Sequence, residues 1–546
     1  MYQRKKVISL MLLCCGIRET KKFIITGRSG HYDPMEKIIL STIAALGIAC
    51  FAGGTADAAS VKIDEKTFPN ACVRTFANKQ DTNRDGELSD AEIKAVTKLD
   101  WNGQNLYTYG VTSGMEIDFT GMEIFTNLKQ VTIEQLFQGG KYNCKYWNCK
   151  NTDIFSVFPY VEKLNLFATG QVTLSTANRN LKHLEIAASN VSVNAPITSV
   201  EQLTVCSTLN GHTKLCGYSQ DWGKCFPNAR VVQMNYVKDL EKEIYGFKRV
   251  EQISIAYYGG NKIFDLSIYK DTLKRLDVAN SWQDLQQNSN PLEEMTTLKT
   301  IDISHMRKLE TLEVCNAGSL ERLVVKDSKG KCELNKLKTI HLVNNKIKSL
   351  NLSVVPNLEE VYVGGKLTNL NINQCKRLKK LLIDSNSLKK LIIKNRSLKY
   401  LDVSSKVIQK INVTGCPNLI GVTIDRKSKA SMGNLDLSKN KKLVYFHANR
   451  KARFKKIILP KLSNSKQLNT SYKQYDRAEK CRYTGYGITV DVSKYRKMPV
   501  KVKKYQVKTL CNSTTKKLVI NKKLRKADKK WIKKFAKKWH VKVVEK

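Results

Sequence analysis

The stretch DTNRDGELSDAE, which begins at Asp81, carries oxygen-bearing side chains at alternate positions in a chain otherwise rich in lysine, leucine and isoleucine. Asp81, Asn83 and Asp85 are two residues apart, Gly86 follows them, and Glu92 ends the stretch. Calcium takes six to eight oxygen ligands, so side chains with this spacing can converge on one ion, and the glycine permits the sharp turn between them. The spacing therefore predicts a calcium-binding loop.

The whole stretch fits the pattern D-x-[DN]-x-[DN]-G-x₅-E of the EF-hand loop. In that pattern Glu87 offers its backbone carbonyl, Ser89 binds directly or through water, and Glu92 binds with both carboxylate oxygens. The flanking segments FPNACVRTFANKQ and LSDAEIKAVTKL have the periodicity of short amphipathic helices. We therefore expect calcium as the ligand of an EF-hand-like helix pair, and its predicted ligands are Asp81, Asn83, Asp85, Glu87, Ser89 and Glu92.

A simpler interpretation of the same stretch is a helix cap. Ser89 or Asp90 can accept hydrogen bonds from the free amides of the following helix, and Glu92 can complete a capping box. This interpretation does not need the acidic and amide side chains that precede Gly86. One loop without a paired partner favours a structural role for the ion over calcium sensing.

One hexapeptide pattern, L-x-x-L-x-[ILV], recurs from about Val161 almost to the end of the chain. Between residues 337 and 419 its copies begin 20 or 21 residues apart, and a second apolar hexapeptide lies between neighbouring copies. A unit of this length supplies one short strand, and it cannot bury its apolar edge without a neighbouring unit. The clear copies begin at Leu181, Leu273, Leu298, Leu309, Leu320, Leu337, Leu358, Leu378, Leu398 and Leu443.

This pattern resembles the leucine-rich-repeat signature, and two copies extend to its fuller form with Asn345 and Asn386 at the position where the chain turns. The resemblance covers about residues 115–460 and implies a repeat solenoid that is mainly β. Each unit is too short for a full helix on its return side, so we expect short extended or 3₁₀ segments there. A β-sandwich would need turn residues every 8 to 12 positions, and the chain has only ten prolines.

The segment from Met35 to Ser60 has a short basic start, an apolar run and the small-residue ending Ala56-Asp57-Ala58. These features predict a secretory signal peptide cleaved after Ala58 or Ala59. Residues 1–34 contain a second basic-then-apolar patch, and two leaders in tandem favour Met35 as the true start of translation. No later run of about 18 apolar residues is present, so no transmembrane helix is expected.

The formal net charge of +46 is concentrated near the C-terminus, because the last 96 residues hold 31 Lys and Arg against 5 Asp and Glu. The closing sequence predicts a strand, a helix and a strand, with Trp531, Ile532, Phe535 and Trp539 on one helical face. These apolar side chains would cap the last repeat. The lysines of the other face would bind an anionic cell-wall polymer or lipid headgroups; they are Lys529, Lys530, Lys533, Lys534, Lys537 and Lys538.

The strand residues that point away from the core of a solenoid line one continuous face. Aromatic and imidazole side chains combine apolar surface with a polar tip, which suits them to ligand contact. We expect those of this face to stack into one stripe that binds a ligand, although repeat proteins also tolerate many residue types there. The predicted stripe consists of His341, Tyr362, Tyr400, Tyr445 and His447.

The cysteines leave two interpretations open. Export permits disulfides, and Cys144/Cys149 and Cys206/Cys216/Cys225 are close enough in sequence to pair. Free buried thiols explain the same positions equally well. No zinc pattern, catalytic triad motif or phosphate-binding loop is present in the sequence, so we expect a protein that is not an enzyme.

The order of leader, calcium loop, capping segment and repeats resembles secreted leucine-rich-repeat proteins on the surface of Gram-positive gut and rumen bacteria. The resemblance implies an extracellular binding or adhesion protein whose partner is a protein or polysaccharide, and nucleic acid is not expected after export. One alternative is a structural wall component held by the basic tail, and another is an enzyme within the irregular repeats. The predicted divisions are 1–34 (upstream extension), 35–59 (signal peptide), 60–113 (helix pair), 114–460 (solenoid, with an irregular Cys-containing insert near 140–230) and 461–546 (basic cap or tail).

Overall fold

The computed structural model describes residues 60–546, with longer gaps at 280–297, 461–482 and 497–514. Shorter gaps fall at 103–104, 113, 134–135, 139–142, 146, 152, 169, 209–210, 236, 257–259, 261, 427–430, 444, 450 and 485. The predicted upstream extension and signal peptide lie outside the described residues. So do Cys481 and Cys511.

The dominant element is a parallel sheet, here called the front sheet, that comprises sixteen strands within the described residues. Its strands follow one another in chain order, so each repeat adds one strand beside the preceding one. Alternate strand residues are buried, as in Lys380–Ser385, where Leu381 and Ile383 are at most 2% exposed. The strands are Lys98–Trp101, Gln130–Ile133, Lys163–Phe167, His183–Ala187, Gln202–Val205, Val231–Met234, Gln252–Ile255, Arg275–Ala279, Thr311–Cys315, Thr339–Val343, Glu360–Gly365, Lys380–Ser385, Tyr400–Ser405, Gly421–Arg426, Tyr445–Ala448 and Tyr483–Thr484.

The return side of each coil carries short strands that pair with the next coil in smaller parallel sheets. These sheets are Glu116–Ile117 with Asn148–Cys149; Gln171–Leu174, Asn190–Val193 and Lys214–Gly217; Ile263–Asp265, Thr300–Asp302 and Arg322–Val324; Ser349–Asn351 with Asn369–Asn371; Lys390–Ile392 with Lys410–Asn412; and Ser431–Asp436, Arg453–Ile458, Tyr486–Asp491, Lys517–Ile520 and Lys542–Glu545. Single turns replace strands in other coils, namely the α-helical turns Asn105–Thr108, Ile154–Val157, Trp222–Cys225 and Leu240–Glu243 and the 3₁₀ turns Met122–Ile124 and Ser267–Tyr269.

One continuous hydrophobic core runs between the front sheet and the return side, from Phe68 to Val541. It is built from the repeat leucines and their aliphatic equivalents, each of which contributes roughly 1.5–3 kcal/mol by burial. This strand order and core establish a leucine-rich-repeat solenoid, mainly β, as the sequence predicted. The prediction of short return segments is confirmed as well.

Polar side chains close the turns between coils. Asn345 is 4% exposed and donates from Nδ2 to the carbonyl oxygens of Leu342 and Gly364, at 3.1 and 2.9 Å. The equivalent prediction for Asn386 is wrong: that residue is exposed, and the buried Ser385 donates to Leu367 O at 2.7 Å instead. The reason is that the strand of this coil continues through Ser385, which brings the hydroxyl to the inward position.

The sheet extends beyond the limits predicted from the repeats. Its first strand, Lys98–Trp101, precedes residue 114, and its last, Tyr483–Thr484, follows residue 460. The front sheet also continues through residues 140–230, where the irregularity is confined to side hairpins. These hairpins are Leu136–Gln138 with Asn143–Lys145 and Ser207–Thr208 with Gly211–His212.

Nine of the described cysteines are free thiols. At these positions the structure therefore favours free thiols over disulfides. Cys216 Sγ lies 3.4 Å from Val191 O, and Cys225 Sγ lies 3.7 Å from Ser219 O. Both of these sulfur atoms therefore face a backbone carbonyl, and neither belongs to a disulfide. The free thiols of the described residues are Cys72, Cys149, Cys206, Cys216, Cys225, Cys315, Cys332, Cys375 and Cys416.

Candidate functional site

The predicted calcium loop lies between two helices at the N-terminal end of the solenoid. Ala71–Gln80 ends at Asp81, and Asp90–Ala95 begins after Ser89, as the flanking periodicity predicted. Gly86 turns the chain with a φ of 84°, in the left-handed region that glycine adopts without strain. The loop then pairs with the start of the described chain, because Glu87–Leu88 forms an antiparallel pair with Val61–Lys62.

The carboxylates at the two ends of the loop are buried and hydrogen-bonded. Asp81 accepts from the backbone amides of Arg84 and Gly86, at 2.6 and 2.9 Å. Glu92 accepts from the Thr82 hydroxyl at 2.6 Å and from the Ser89 amide at 3.0 Å. These bonds, above all the one from the Thr82 hydroxyl, lower the pKa of Glu92 to about 2.

Ser89 and Glu92 form a complete capping box, because the Ser89 hydroxyl also accepts from the Glu92 amide. The side chains in the middle of the loop bond to one another: Asn83 Nδ2 donates to Asp85 at 2.8 Å, and Asp85 accepts from the Glu87 amide at 2.9 Å. The cap interpretation of the sequence is therefore observed. Helix capping explains the presence of Ser89 and Glu92. It does not explain the presence of Asp81, Asn83 and Asp85.

The oxygen ligands and the glycine turn fit calcium in type and order, but their present orientation does not gather them around one point. Within the described residues, no group of three or more His, Cys, Asp or Glu side chains is placed to hold a metal ion. Calcium binding would therefore require Glu92 to exchange its bonds from Thr82 and Ser89 for the ion. Asp81 could bind while its second oxygen keeps the bond from the Gly86 amide.

The outward side of the front sheet, here called the strand face, carries two rows of side chains in register. The first row runs through Thr311, Thr339, Glu360, Lys380, Tyr400, Gly421 and Tyr445. The second row runs through Glu313, His341, Tyr362, Leu382, Asp402, Thr423 and His447.

The predicted single aromatic stripe is wrong in its arrangement. Tyr362 belongs to the second row, whereas Tyr400 and Tyr445 belong to the first and are separated there by Gly421. The reason is the two-residue period of a strand, which offers more than one outward position in every coil, and three in the strands Lys380–Ser385 and Tyr400–Ser405. The structure does bring His341 and Tyr362 together, with ring centroids 6.1 Å apart and the rings at 69°.

A charged network adjoins this aromatic pair on the strand face. Arg275 Nε lies 2.8 Å from Asp277, and its Nη2 lies 2.9 Å from Glu313 on the next coil. Glu313 is only 7% exposed in its side chain, and its Oε1 lies 3.8 Å from Nδ1 of His341. Arg275 and Glu313 therefore form an ion pair between two coils, and Glu313 also lies beside His341 of a third; the strands are Arg275–Ala279, Thr311–Cys315 and Thr339–Val343.

The network continues to the following coils through Glu360. His341 Nε2 lies 3.7 Å from Glu360 Oε1, and Lys380 Nζ lies 3.0 Å from Glu360 Oε2. Burial opposes ionisation of Glu360, but the nearby His341 imidazole and the hydrogen bond from Lys380 outweigh it and hold the pKa of this carboxyl below its ordinary value. Contacts between charged and polar side chains thus connect five successive coils on the strand face.

The sequence pattern predicted a role for His341 but none for Arg275, Asp277, Glu313 and their partners. The signal was present, because these residues occupy the same two outward positions in successive repeats. Alignment of the repeats in register, rather than a search for aromatic residues, would have found them.

The C-terminal segment forms the strand, helix and strand that its sequence predicted. Helix Lys526–Lys538 connects strands Lys517–Ile520 and Lys542–Glu545, which pair in parallel. Its side chains Ile532 and Ala536 are buried in the core. Trp531 and Phe535 are half-buried and contact each other edge to face, with ring centroids 4.7 Å apart. The expectation that Trp539 packs in the cap is wrong, since the residue follows the last helical turn and is 40% exposed.

The predicted polyanion-binding lysines divide into two groups. Lys529 and Lys533 lie within ion-pair distance of Glu545 on the last strand, at 2.5 and 3.4 Å. The other four are exposed and, among the described residues, lie beyond ion-pair distance of any carboxylate; they are Lys530, Lys534, Lys537 and Lys538. No helix in the described parts of the chain is long and apolar enough to cross a membrane.

No protein-family model matches the chain, and no curated protein sequence matches it. Among solved structures the chain is similar to the functional domain of InlJ from Listeria monocytogenes, which includes a cysteine ladder, with 15% identity over 76% of this chain and 85% of that one and a TM-score of 0.34. It is also similar to TLR13 in a complex with ssRNA13, with 12% identity, 75% and 69% coverage and a TM-score of 0.24. The pneumococcal vaccine antigen PcpA gives 12% identity, 70% and 91% coverage and a TM-score of 0.15.

Proposed function

We propose that this chain is a secreted binding or adhesion protein that holds a protein or polysaccharide on its strand face. The observation that carries the proposal is the pair of rows on the front sheet, where His341 and Tyr362 stand beside a network of ion pairs. Side chains held by their neighbours lose little entropy when a ligand arrives, which favours affinity. Secretion rests on the sequence of Met35–Ser60, and the calcium loop at the N-terminal end is proposed to stiffen the first coils.

The test is a binding panel with substitutions on the strand face. Tyr362→Ala/Tyr400→Ala removes one tyrosine from each row, and both side chains are half-buried at the surface. The probes are immobilised mucin glycoprotein, plant cell-wall polysaccharide and bacterial wall. We expect the chain to bind at least one of them, and the double variant to lose about 2 kcal/mol, roughly thirtyfold in Kd.

The matched control is Tyr218→Ala, because Tyr218 follows a return strand and is 54% exposed. This control should bind as the unaltered chain does. Equal binding by the strand-face variant, with an unchanged melting temperature, would contradict the proposed face.

A second candidate function is structural association with the cell wall through the C-terminal helix. The four exposed lysines of Lys526–Lys538 favour it, because their charges face solvent while Ile532 and Ala536 hold the helix in place. Attachment of this kind would be electrostatic and weakened by salt. The two functions are compatible, since they use different surfaces of the described chain.

A further inference from the structure

One edge of the solenoid carries a column of alternating charges, formed by the residue that follows the leading apolar position of each repeat. Across neighbouring coils these residues make ion pairs that neutralise the column. The pairs are Lys129–Glu162 at 3.7 Å, Lys182–Glu201 at 3.5 Å, Arg230–Glu251 at 2.6 Å, Lys274–Glu251 at 2.7 Å, Lys338–Glu310 at 2.7 Å and Lys379–Glu359 at 2.5 Å.

A second column, formed by the residue that precedes the same apolar position, links coils by hydrogen bonds. In five described coils it is an asparagine whose Nδ2 donates to a backbone carbonyl of the preceding coil. These bonds run from Asn127 to Lys94, Asn180 to Pro159, Asn228 to Thr198, Asn357 to Asn335 and Asn418 to Arg396. Each of these five bonds ties one coil to the coil before it.

The first column changes character between the coils of Glu359 and Lys442. In the first column the alternation ends, because Lys379 is followed by a second cation, Lys399, and then by Ile420. The second column holds Arg377, Ser397, Asn418 and Lys442 in these coils, and it also holds cations in the coils of Val250, Leu309 and Leu337. What distinguishes these coils is that cations of both columns line the same cavity.

A cavity of about 460 Å³ opens between the two columns at this place and is here called the edge groove. Glu359 is engaged by Lys379 at 2.5 Å, whereas Arg377, Lys399 and Lys442 lie beyond 4 Å from any carboxylate of the described residues. The groove thus has four cations against one carboxylate. Its lining residues are Glu359, Arg377, Lys379, Ser397, Lys399, Asn418, Ile420 and Lys442.

The uncharged groups of the groove offer hydrogen-bond acceptors. The Ser397 hydroxyl donates to Asn395 Oδ1 at 2.8 Å, and the Asn418 amide donates to Arg396 O at 2.6 Å. Each side chain has therefore used a donor and keeps oxygen lone pairs for a ligand. Ile420 adds apolar surface beside them. A ligand that satisfies this lining brings anionic groups together with hydroxyl donors and an apolar ring face.

We infer that the edge groove binds an acidic polysaccharide, whose carboxylates face Arg377, Lys399 and Lys442 and whose hydroxyls donate to Ser397 and Asn418. Neighbouring coils repeat every 4.7–4.9 Å, so the cations of the two columns flank the groove over four coils, a length that suits a linear polymer. This site is distinct from the strand face and does not depend on the function proposed for that face.

The test measures binding of labelled polygalacturonate to the full chain and to Arg377→Gln/Lys399→Gln. Because both residues are exposed and form no ion pair with a carboxylate of the described residues, the melting temperature should not change. We expect Kd to rise tenfold or more in the double variant, since hydrogen bonds to charged groups are the stronger ones. Dextran, which is neutral, should not bind, and inorganic polyphosphate should bind at least tenfold more weakly than polygalacturonate because it brings no hydroxyl donors.

The matched control is Lys129→Gln/Lys182→Gln, which removes two cations of the same column where Glu162 and Glu201 already neutralise them. It should bind polygalacturonate as the unaltered chain does, and so should the strand-face variant Tyr362→Ala/Tyr400→Ala. Three results would overturn the inference: unchanged binding by the groove variant, an equal loss in either control, or polyphosphate binding as tight as that of polygalacturonate.

Discussion

Glu333 is a carboxylate that stabilises the solenoid by pairing with basic side chains. It lies between a return strand and the next front strand, where it accepts from Lys331 at 2.6 Å and from Arg307 at 3.2 Å. These bonds, the one from Lys331 first, lower its pKa from an ordinary value of 4.5 to about 2. A carboxyl whose pKa is lower in the folded state contributes stability above its unfolded pKa and loses it as the pH falls towards the folded one.

Glu333→Gln should therefore lower the melting temperature at neutral pH, and the difference from the unaltered chain should shrink as the pH falls from about 4.5 towards 2. Thermal melting at several pH values in this window measures the effect. Glu321→Gln is the control, because Glu321 makes only an exposed pair with Lys299 at 3.1 Å, and such pairs contribute about 0–1 kcal/mol. A difference that stays constant down to pH 2 would contradict this role of Glu333.

At the residue scale, the sequence was informative where one position has one structural role. Asn345 was predicted to turn its coil and does so. Asn386 was not equivalent, because the length of its strand, which depends on contacts with neighbouring coils, decides whether residue 385 or 386 faces inward. The strand-face tyrosines were identified as outward-facing but were assigned to one row, since composition alone does not distinguish the two outward positions.

The N-terminal helix pair is the element whose proposed calcium loop has the widest effect. Helix Ala71–Gln80 contributes Phe76, which contacts Phe125 of the first coils edge to face at 5.7 Å. Phe68, just before this helix, stacks on the same ring at 6.4 Å. A loop that holds both helices in place therefore also supports the first coils of the core.

Calcium should raise the melting temperature of this N-terminal part. At tenfold excess over Kd the expected stabilisation is about 1.4 kcal/mol, and a Kd of roughly 10⁻⁴ to 10⁻³ M is typical of extracellular modules. Asp81→Ala and Glu92→Ala should each abolish the rise in melting temperature that calcium causes. A chelator should abolish the same rise in the unaltered chain. Differential scanning calorimetry with and without calcium is the measurement.

Asp90→Asn is the control within the same segment, because Asp90 pairs with Lys94 on the exposed face of the helix at 2.7 Å. It should retain the calcium effect. Glu92→Ala should also lower stability without calcium, since it removes the capping box and the bond from Thr82. Melting that is identical with and without calcium would leave the stretch as a helix cap alone.

Element boundaries followed from the sequence only in part. The C-terminal strand, helix and strand were predicted from the sequence, because the spacing of apolar residues changes from that of a strand to that of a helix and back. The start of the front sheet at Lys98 was missed, since its strand carries Trp101 in place of a repeat leucine and pairs only with a later coil. Pairing between strands that are distant in sequence determines where the front sheet begins and ends. The sequence pattern does not show this pairing.

For the whole molecule, stability depends on contacts between neighbouring coils in series, as in other repeat proteins. Deletion of Lys503–Lys546 would remove two strands of the last return sheet together with its helix, so it would disturb the fold as well as the charge. The substitution Lys530→Gln/Lys534→Gln/Lys537→Gln/Lys538→Gln changes the charge alone.

This fourfold variant should bind a bacterial wall preparation more weakly than the unaltered chain, and its release should need less salt. Co-sedimentation over a range of sodium chloride concentrations measures this. A control with the same loss of charge replaces four exposed lysines elsewhere with glutamine, namely Lys326, Lys329, Lys348 and Lys366. If both variants lose binding equally, the attachment reflects net charge and not the C-terminal helix.

We propose that a ligand is held on the outward side of the front sheet. Hydroxyl-radical footprinting of the chain, free and bound to the probe from the panel that it binds, tests this proposal. We expect protection of His341, Tyr362 and Tyr400, with the exposed return-side residues Tyr218 and Ile392 modified equally in both states. Protection of the return side, with the strand-face residues modified as in the free chain, would contradict it.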